Sequence, residues 1–294
     1  MNVRIREVGP RDGLQGEAPI GVGERVALIE ALAAAGLDDI EAVAFVSPRL
    51  VPAMDGAASV MAGLHRQAGV RYWALVPNLR GASMALEAAA DGLSVTVSAS
   101  EAYSGKNVGR TVEESVVEAE RIAGMTDGRV PVDAVISCAF GSPFEGDISP
   151  AVVGALVRRL RDGGATEVTL ADTTGMATPP RLGSVLDETG PDVGLHLHDS
   201  RGTALVNAYA AVHAGVTRFD CAVGGLGGSP FAPGAGGNLA TEDFVYLLDD
   251  MGVATGVDLS ALLEVSAMMA ALVGHSVSSR VAQAGPRGST RAVV

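Results

Sequence analysis

A chain of 294 residues, 48% hydrophobic with 38 glycines and only 4% aromatic residues, is long enough for one large barrel or two smaller domains, its interior filled mainly by Ala, Val, Leu and Ile. Its 34 acidic against 21 basic side chains give a net charge of −13 with no basic run, which argues against nucleic acid and anionic membrane as partners. An anionic substrate would therefore need a local cluster of arginine, lysine or metal.

In chain order, short β-branched runs alternate with Ala-rich amphipathic stretches. The strands are expected at 3–8, 39–44, 71–76, 93–98, 132–138, 167–171, 194–198 and 218–223. Helical patterns run between them at 23–35 and 111–124, the latter opening on a capping box of Thr111 and Glu114. Gly36, Gly92, Gly164 and Gly215 each stand shortly before a strand, where a helix must end and the chain turn. Eight βα repeats predict an α/β fold, a TIM (β/α)8 barrel with extra C-terminal helices from 241 and at 259–273; a doubly wound open sheet is the alternative. The expected organisation is one domain over 1–285 and a flexible tail over 286–294.

The N-terminus enters a strand directly, without the charged start and apolar stretch of a signal peptide, and no apolar run reaches a bilayer span. A cytoplasmic protein with two buried thiols, Cys138 and Cys221, is expected.

Chemistry concentrates at the ends of the strands. In the run LHLHD, His196 and His198 are two apart on one strand, so both imidazoles project to the same side and can share one ion. Asp12, just past strand one, adds a carboxylate at the same end of the barrel; Asn238 adds an oxygen, or is only a turn residue. Arg11 needs an anionic partner, either a developing enolate or a structural pair with Glu41 or Glu7. Glu41 is a charge among apolar neighbours, and Asp172 either caps a turn or positions water or ligand.

The blocks REVGPRDGLQ, IEAVAFVSPRLVPAM, ISCAFGSPFEG, LADTTGMATP, LHLHDSRGTALVNAYAA and GGLGGSPFAPGAGGNLATEDFVYLL together resemble the hydroxymethylglutaryl-CoA lyases, in the family's order and over roughly 3–285. The resemblance implies metal-dependent retro-Claisen cleavage of a 3-hydroxy-3-methylacyl-CoA thioester to acetyl-CoA and acetoacetate, as in leucine degradation. It implies Mg²⁺ or Mn²⁺ on Asp12, His196, His198 and Asn238, with Arg11 stabilising the enolate and Glu41 and Asp172 supporting catalysis. His196 is the expected base. Lys106 and Asn107, after strand four, are expected contacts for CoA phosphates, and a homodimer is expected from apolar surface on the C-terminal helices. Three positions depart from the family: Ser229 where its glycine-rich loop carries a cysteine, Arg201, and Leu50 where an aromatic is usual. These leave open a related lyase for citramalyl-CoA or a longer branched substrate, and a metal-binding barrel without turnover.

Overall fold

The computed structural model describes residues 2–228 and 236–287. Eight parallel strands close into a barrel in sequence order. They are β1 (Arg4–Glu7), β2 (Asp39–Ala44), β3 (Arg71–Leu75), β4 (Gly92–Ser98), β5 (Val132–Ser137), β6 (Glu167–Asp172), β7 (Gly194–Leu197) and β8 (Arg218–Cys221). Closure rests on the pairing of β1 with β8, Arg6 opposite Asp220, which excludes the open sheet.

The surrounding helices are α1 (Val22–Ala34), α2 (Ala57–Gly63), α3 (Leu79–Glu87), α4 (Glu101–Asn107), α5 (Val112–Thr126), α6 (Pro150–Asp162), α7 (Pro179–Thr189) and α8 (Ala204–His213). After β8 follow α9 (Thr241–Asp250), α10 (Leu259–Val273) and α11 (Arg280–Ala284). The expected box opens α5: the Thr111 hydroxyl accepts from Glu114 N–H and the Glu114 carboxylate from Thr111 N–H. Pro150 and Pro179 open α6 and α7, where a missing N–H costs nothing.

The strand bounds agree with those read from sequence to within two residues, and β2 coincides. Cys138 leaves β5 because it takes a left-handed φ of 57°. Val223 leaves β8 because it starts a 3₁₀ turn. Of the four glycines expected to turn the chain before a strand, Gly36, Gly164 and Gly215 have φ of 94 to 97°. Gly92 differs. It lies inside β4, where a Cβ would meet the Trp73 ring at 2.4 Å.

Alternation along the strands separates two environments. Outward side chains such as Ile40, Leu93, Val95, Ile136 and Leu195 are buried against Leu28, Ile29, Leu32 and their counterparts on other helices. The lumen departs from the aliphatic interior that composition suggested. Arg6, Trp73, Asp133, Thr169 and Asp220 meet there, with Arg6 bonded to Asp133 and Asp220 and stacked 5.1 Å from the Trp73 ring centroid.

Candidate metal centre at the C-terminal end of the barrel

Barrel enzymes build their sites where the strands end. Past β1 the chain makes a π-helical turn, Gly9–Gly13, in which the Val8 carbonyl accepts from the N–H groups of Arg11, Asp12 and Gly13 at 3.1, 2.7 and 3.2 Å. Such turns are rare and concentrate at functional sites. This one places Arg11 and Asp12, successive in sequence, side by side at the mouth. Arg11 Nη1 donates to Asp12 Oδ1 at 2.6 Å, and Arg11 Nε donates to Glu41 Oε2. The structural pairing foreseen for Arg11 is therefore present with Glu41, while Glu7 bonds elsewhere. Both bonds leave Nη2 out.

His196 on β7 and His198 just past its end both face the cluster, as expected. Their Nε2 atoms lie 3.2 Å apart, and His196 Nε2 lies 4.0 Å from Asp12 Oδ2. Ligand atoms of Asp12, His196 and His198 all fall within 4.8 Å of one another, and the three residues are buried. Each imidazole is oriented through its other nitrogen. His198 Nδ1 meets the Gly236 carbonyl at 3.0 Å, and His196 Nδ1 meets Asp220 Oδ2 at 3.1 Å.

Asn238 joins this group. Its amide nitrogen donates to Asp12 Oδ2 at 2.6 Å and to the Leu226 carbonyl at 2.8 Å. Its amide oxygen, fully buried, has no hydrogen-bond partner among the described residues. A buried acceptor without a donor is costly unless a cation meets it. Gly227 permits this packing, since a Cβ there would come within 2.4 Å of Asn238 Nδ2 and 2.8 Å of Asp12 Oδ2.

The donor set fits a divalent ion. Two ligands about 2.1 Å from one ion and roughly at right angles have donor atoms about 3 Å apart, close to the spacing of the two Nε2 atoms. Electrostatics agree. Burial works to raise the Asp12 carboxyl, but Arg11 and both histidines outweigh it and hold it down to about 2. Burial and the neighbouring His196 lower His198 to about 4, so it is a neutral ligand at pH 7. For His196, burial is outweighed by Asp220 and Asp12, which raise it.

The remaining expected residues fall differently. Asp172 ends β6 on the outward side of the strand shared with Val168 and Leu170. Its two oxygens accept from Met176 N–H at 2.7 Å and Ala177 N–H at 3.0 Å, so it caps the turn after β6, while Thr178 is the N-cap of α7. Burial, only partly offset by those bonds, lifts it to about 6. Arg201 holds the same turn by donating to the carbonyls of Thr174 and Gly175. Lys106 and Asn107 close α4, with Lys106 Nζ 5.0 Å from the Phe144 ring centroid. Leu50 is 83% exposed. Ser229 lies outside the described residues.

Sequence reasoning missed Gln15, which donates to Asp12 Oδ1 at 2.8 Å, and the group of Arg6, Asp133 and Asp220 beneath His196. The signal was there. RIRE and RFDC put charge at alternate positions, Arg4 and Arg6, Arg218 and Asp220, VDAVIS sets the single charge of Asp133 in an apolar run, and in closed parallel strands one side of such alternation is the lumen.

The family model described as HMGL-like matches residues 2–269. A Pseudomonas aeruginosa protein named 3-hydroxy-3-isohexenylglutaryl-CoA/hydroxy-methylglutaryl-CoA lyase is 42% identical over 292 residues, covering 96% of each chain. A Rattus norvegicus protein named cytoplasmic 3-hydroxy-3-methylglutaryl-CoA lyase is 43% identical over 289 residues, covering 96% of this chain and 84% of its own. Among solved structures, an HMG-CoA lyase from Acinetobacter baumannii in complex with coenzyme A and 3-methylmalate superposes with a TM-score of 0.94 at 38% identity, covering 100% of this chain and 98% of that one.

Proposed function

The chain belongs to the hydroxymethylglutaryl-CoA lyase family, whose members are carbon–carbon lyases, and on that premise we propose that it cleaves 3-hydroxy-3-methylglutaryl-CoA to acetyl-CoA and acetoacetate. The observation that carries this reading is the meeting of Asp12, His196 and His198 beside a guanidinium. A divalent cation, Mg²⁺ or Mn²⁺, held by Asp12, His196, His198 and the Asn238 amide oxygen supplies polarisation of the substrate's hydroxyl and acyl oxygens.

The protein's own groups do the rest. With Nδ1 committed to Asp220, His196 has only Nε2 for chemistry, either to help hold the cation or to take the proton of the C3 hydroxyl. Loss of that proton gives the C3 alkoxide, which collapses to the ketone of acetoacetate as the C2–C3 bond breaks, and the electron pair of that bond passes to the thioester as an enolate. Arg11, kept in place by Glu41, offsets the charge on the enolate oxygen. Ser229 is the group proposed to return a proton to the enolate carbon, although an aliphatic hydroxyl is a weaker acid than the thiol the family carries there. Asp172 supports the site through the turn it caps. Lys106, the only lysine of the chain, and Asn107 are proposed to meet CoA phosphates.

We read 1–285 as one lyase unit with a tail after it, acting in the cytoplasm. Among the described residues no helix is long and apolar enough to cross a membrane. A homodimer belongs to the proposal, but its surface differs from the expected one: the exposed large apolar side chains cluster on α8 as Leu205, Val206 and Tyr209, not on the C-terminal helices.

A second reading, favoured by the substrate pair in the name of the Pseudomonas relative, is a longer branched glutaryl-CoA. Purified protein with Mn²⁺ should be given hydroxymethylglutaryl-CoA, isohexenylglutaryl-CoA and citramalyl-CoA, with Asp12→Ala as the blank. The proposal expects acetoacetate from the first at the highest kcat/KM. Preference for another thioester replaces the substrate, and cleavage of none supports a barrel without turnover.

A further inference from the structure

Beneath the candidate metal centre, Asp220 connects His196 to the charged middle of the barrel. Arg6 grips its carboxylate with both ends of the guanidinium fork, Nε to Oδ1 at 2.9 Å and Nη2 to Oδ2 at 3.1 Å. That grip fixes the plane of the carboxylate and leaves Oδ2 against His196 Nδ1 at 3.1 Å. Arg6 is set in turn by Asp133 at 2.5 Å and by the Trp73 ring. Gly194, below His196 on β7, gives this layer room, because a Cβ there would meet Thr169 Oγ1 at 2.5 Å.

We propose that Asp220, clamped by Arg6, is a positioning residue that holds His196 in the tautomer with its proton on Nδ1 and a bare Nε2 facing Asp12 and His198. An ionised carboxylate can only accept, so the nitrogen that faces it must carry the hydrogen. His198 reaches the same state by another route, through the Gly236 carbonyl, which also can only accept. The two imidazoles therefore present unprotonated Nε2 atoms to one point, as a shared cation requires. The inference rests on reading that point as a cation site, and it is independent of which thioester is cleaved.

Asp220→Asn tests it. The amide has one oxygen where the carboxylate had two, and Arg6 can only donate, so the oxygen turns to Arg6 and the NH₂ to His196. Nδ1 must then accept, and the proton moves to Nε2, where it blocks the ion. Asp133→Asn is the matched control: it removes the same charge from the same partner, Arg6, without touching His196. Nitrogen-15 NMR of metal-free protein, at a pH high enough for His196 to be neutral although Asp220 and Asp12 raise it, should show His196 moving from the Nδ1–H to the Nε2–H form in Asp220→Asn alone. Mn²⁺ affinity should fall by roughly 10- to 100-fold in that variant and stay within about twofold in Asp133→Asn. The emission of Trp73, the only tryptophan, reports whether each variant keeps its lumen. An unchanged tautomer in a folded Asp220→Asn overturns the proposal, as does an equal loss of Mn²⁺ affinity in both variants. If the wild type binds no Mn²⁺, the cation reading falls, and the tautomer measurement alone decides the role of Asp220. Should Asp220→Asn fail to fold, Arg6→Gln replaces it, with a mixture of the two tautomers as the expected result and a single Nδ1–H form as the contrary one.

Discussion

The two sides of the barrel wall solve burial differently. Outward from the strands, Ile40, Leu93, Val95 and Leu195 join Leu28, Ile29, Leu32 and the apolar side chains of the other helices in one buried cluster, and each contact removes hydrocarbon from water. Inward, the middle of the lumen is a set of charges, Arg6 with Asp133 and Asp220, as buried as the leucines. Taking such ions out of water costs several kcal/mol each, and their mutual attraction roughly repays it only when all are present. The shell thus supplies stability, and the lumen supplies direction. Its charges end at His196 and, one layer higher, at Arg11, Asp12 and Glu41.

The comparison breaks most sharply at Arg6. Arg6→Met removes the one cation between two carboxylates and should cost about 3–5 kcal/mol, since it leaves like charges buried and unpaired. Urea unfolding followed by far-UV circular dichroism measures this. A loss below about 1 kcal/mol would mean that Asp133 and Asp220 accept protons without penalty and that the lumen does not depend on its pairing. In the shell, Leu32→Ala opens a cavity and should cost roughly 2–5 kcal/mol, toward the upper half because flanking Ala33 and Ala35 give little to collapse onto. It should leave the Mn²⁺ affinity of the folded protein unchanged, and a tenfold loss would show that shell and lumen are coupled.

This division was partly legible in the residues. The hydrophobic period located β2 to the residue, because Asp39 and Ala44 bound a run that is buried on both faces. The pair His196 and His198 declared itself by spacing, and Asp12 by its place after the first strand. What escaped was the partner of His196. Asp220 lies 24 residues away on the neighbouring strand, and only closure of β7 onto β8 brings them opposite each other. Asp172 was open between a turn cap and a place in the site, and the structure shows the cap. Its strand end suggested the site, but alternation puts it on the outer side, where backbone N–H groups claim both oxygens. Gly92 read as a turn because its reason for being glycine, the ring of Trp73, sits on another strand.

The finest form of the comparison is a carboxylate in each environment. Asp220 in the lumen has a cation beside it: burial pushes its carboxyl up, but Arg6 and His196 outweigh that and hold it well below the usual carboxylate range. Glu7, one residue after Arg6 and facing the opposite side, has neutral donors, Gly9 N–H and Val223 N–H at 2.8 Å and the Thr241 hydroxyl at 2.6 Å. Burial wins there and lifts Glu7 to about 7. The folded state therefore keeps a proton that the unfolded chain releases near its ordinary value of about 4.5, so stability should fall as pH rises from roughly 4.5 to 7 and then level off. Glu7→Gln keeps an acceptor for both N–H groups, and its NH₂ can donate to the Thr241 hydroxyl. It should be neutral at pH 5 and stabilising by about 1–2 kcal/mol at pH 8, less than the full shift implies because the amide meets its donors less well than a carboxylate. Thermal unfolding at the two pH values measures the difference. An equal effect of the substitution at both would mean that Glu7 is already ionised at pH 5, and that three neutral donors suffice in the shell where the lumen uses an arginine.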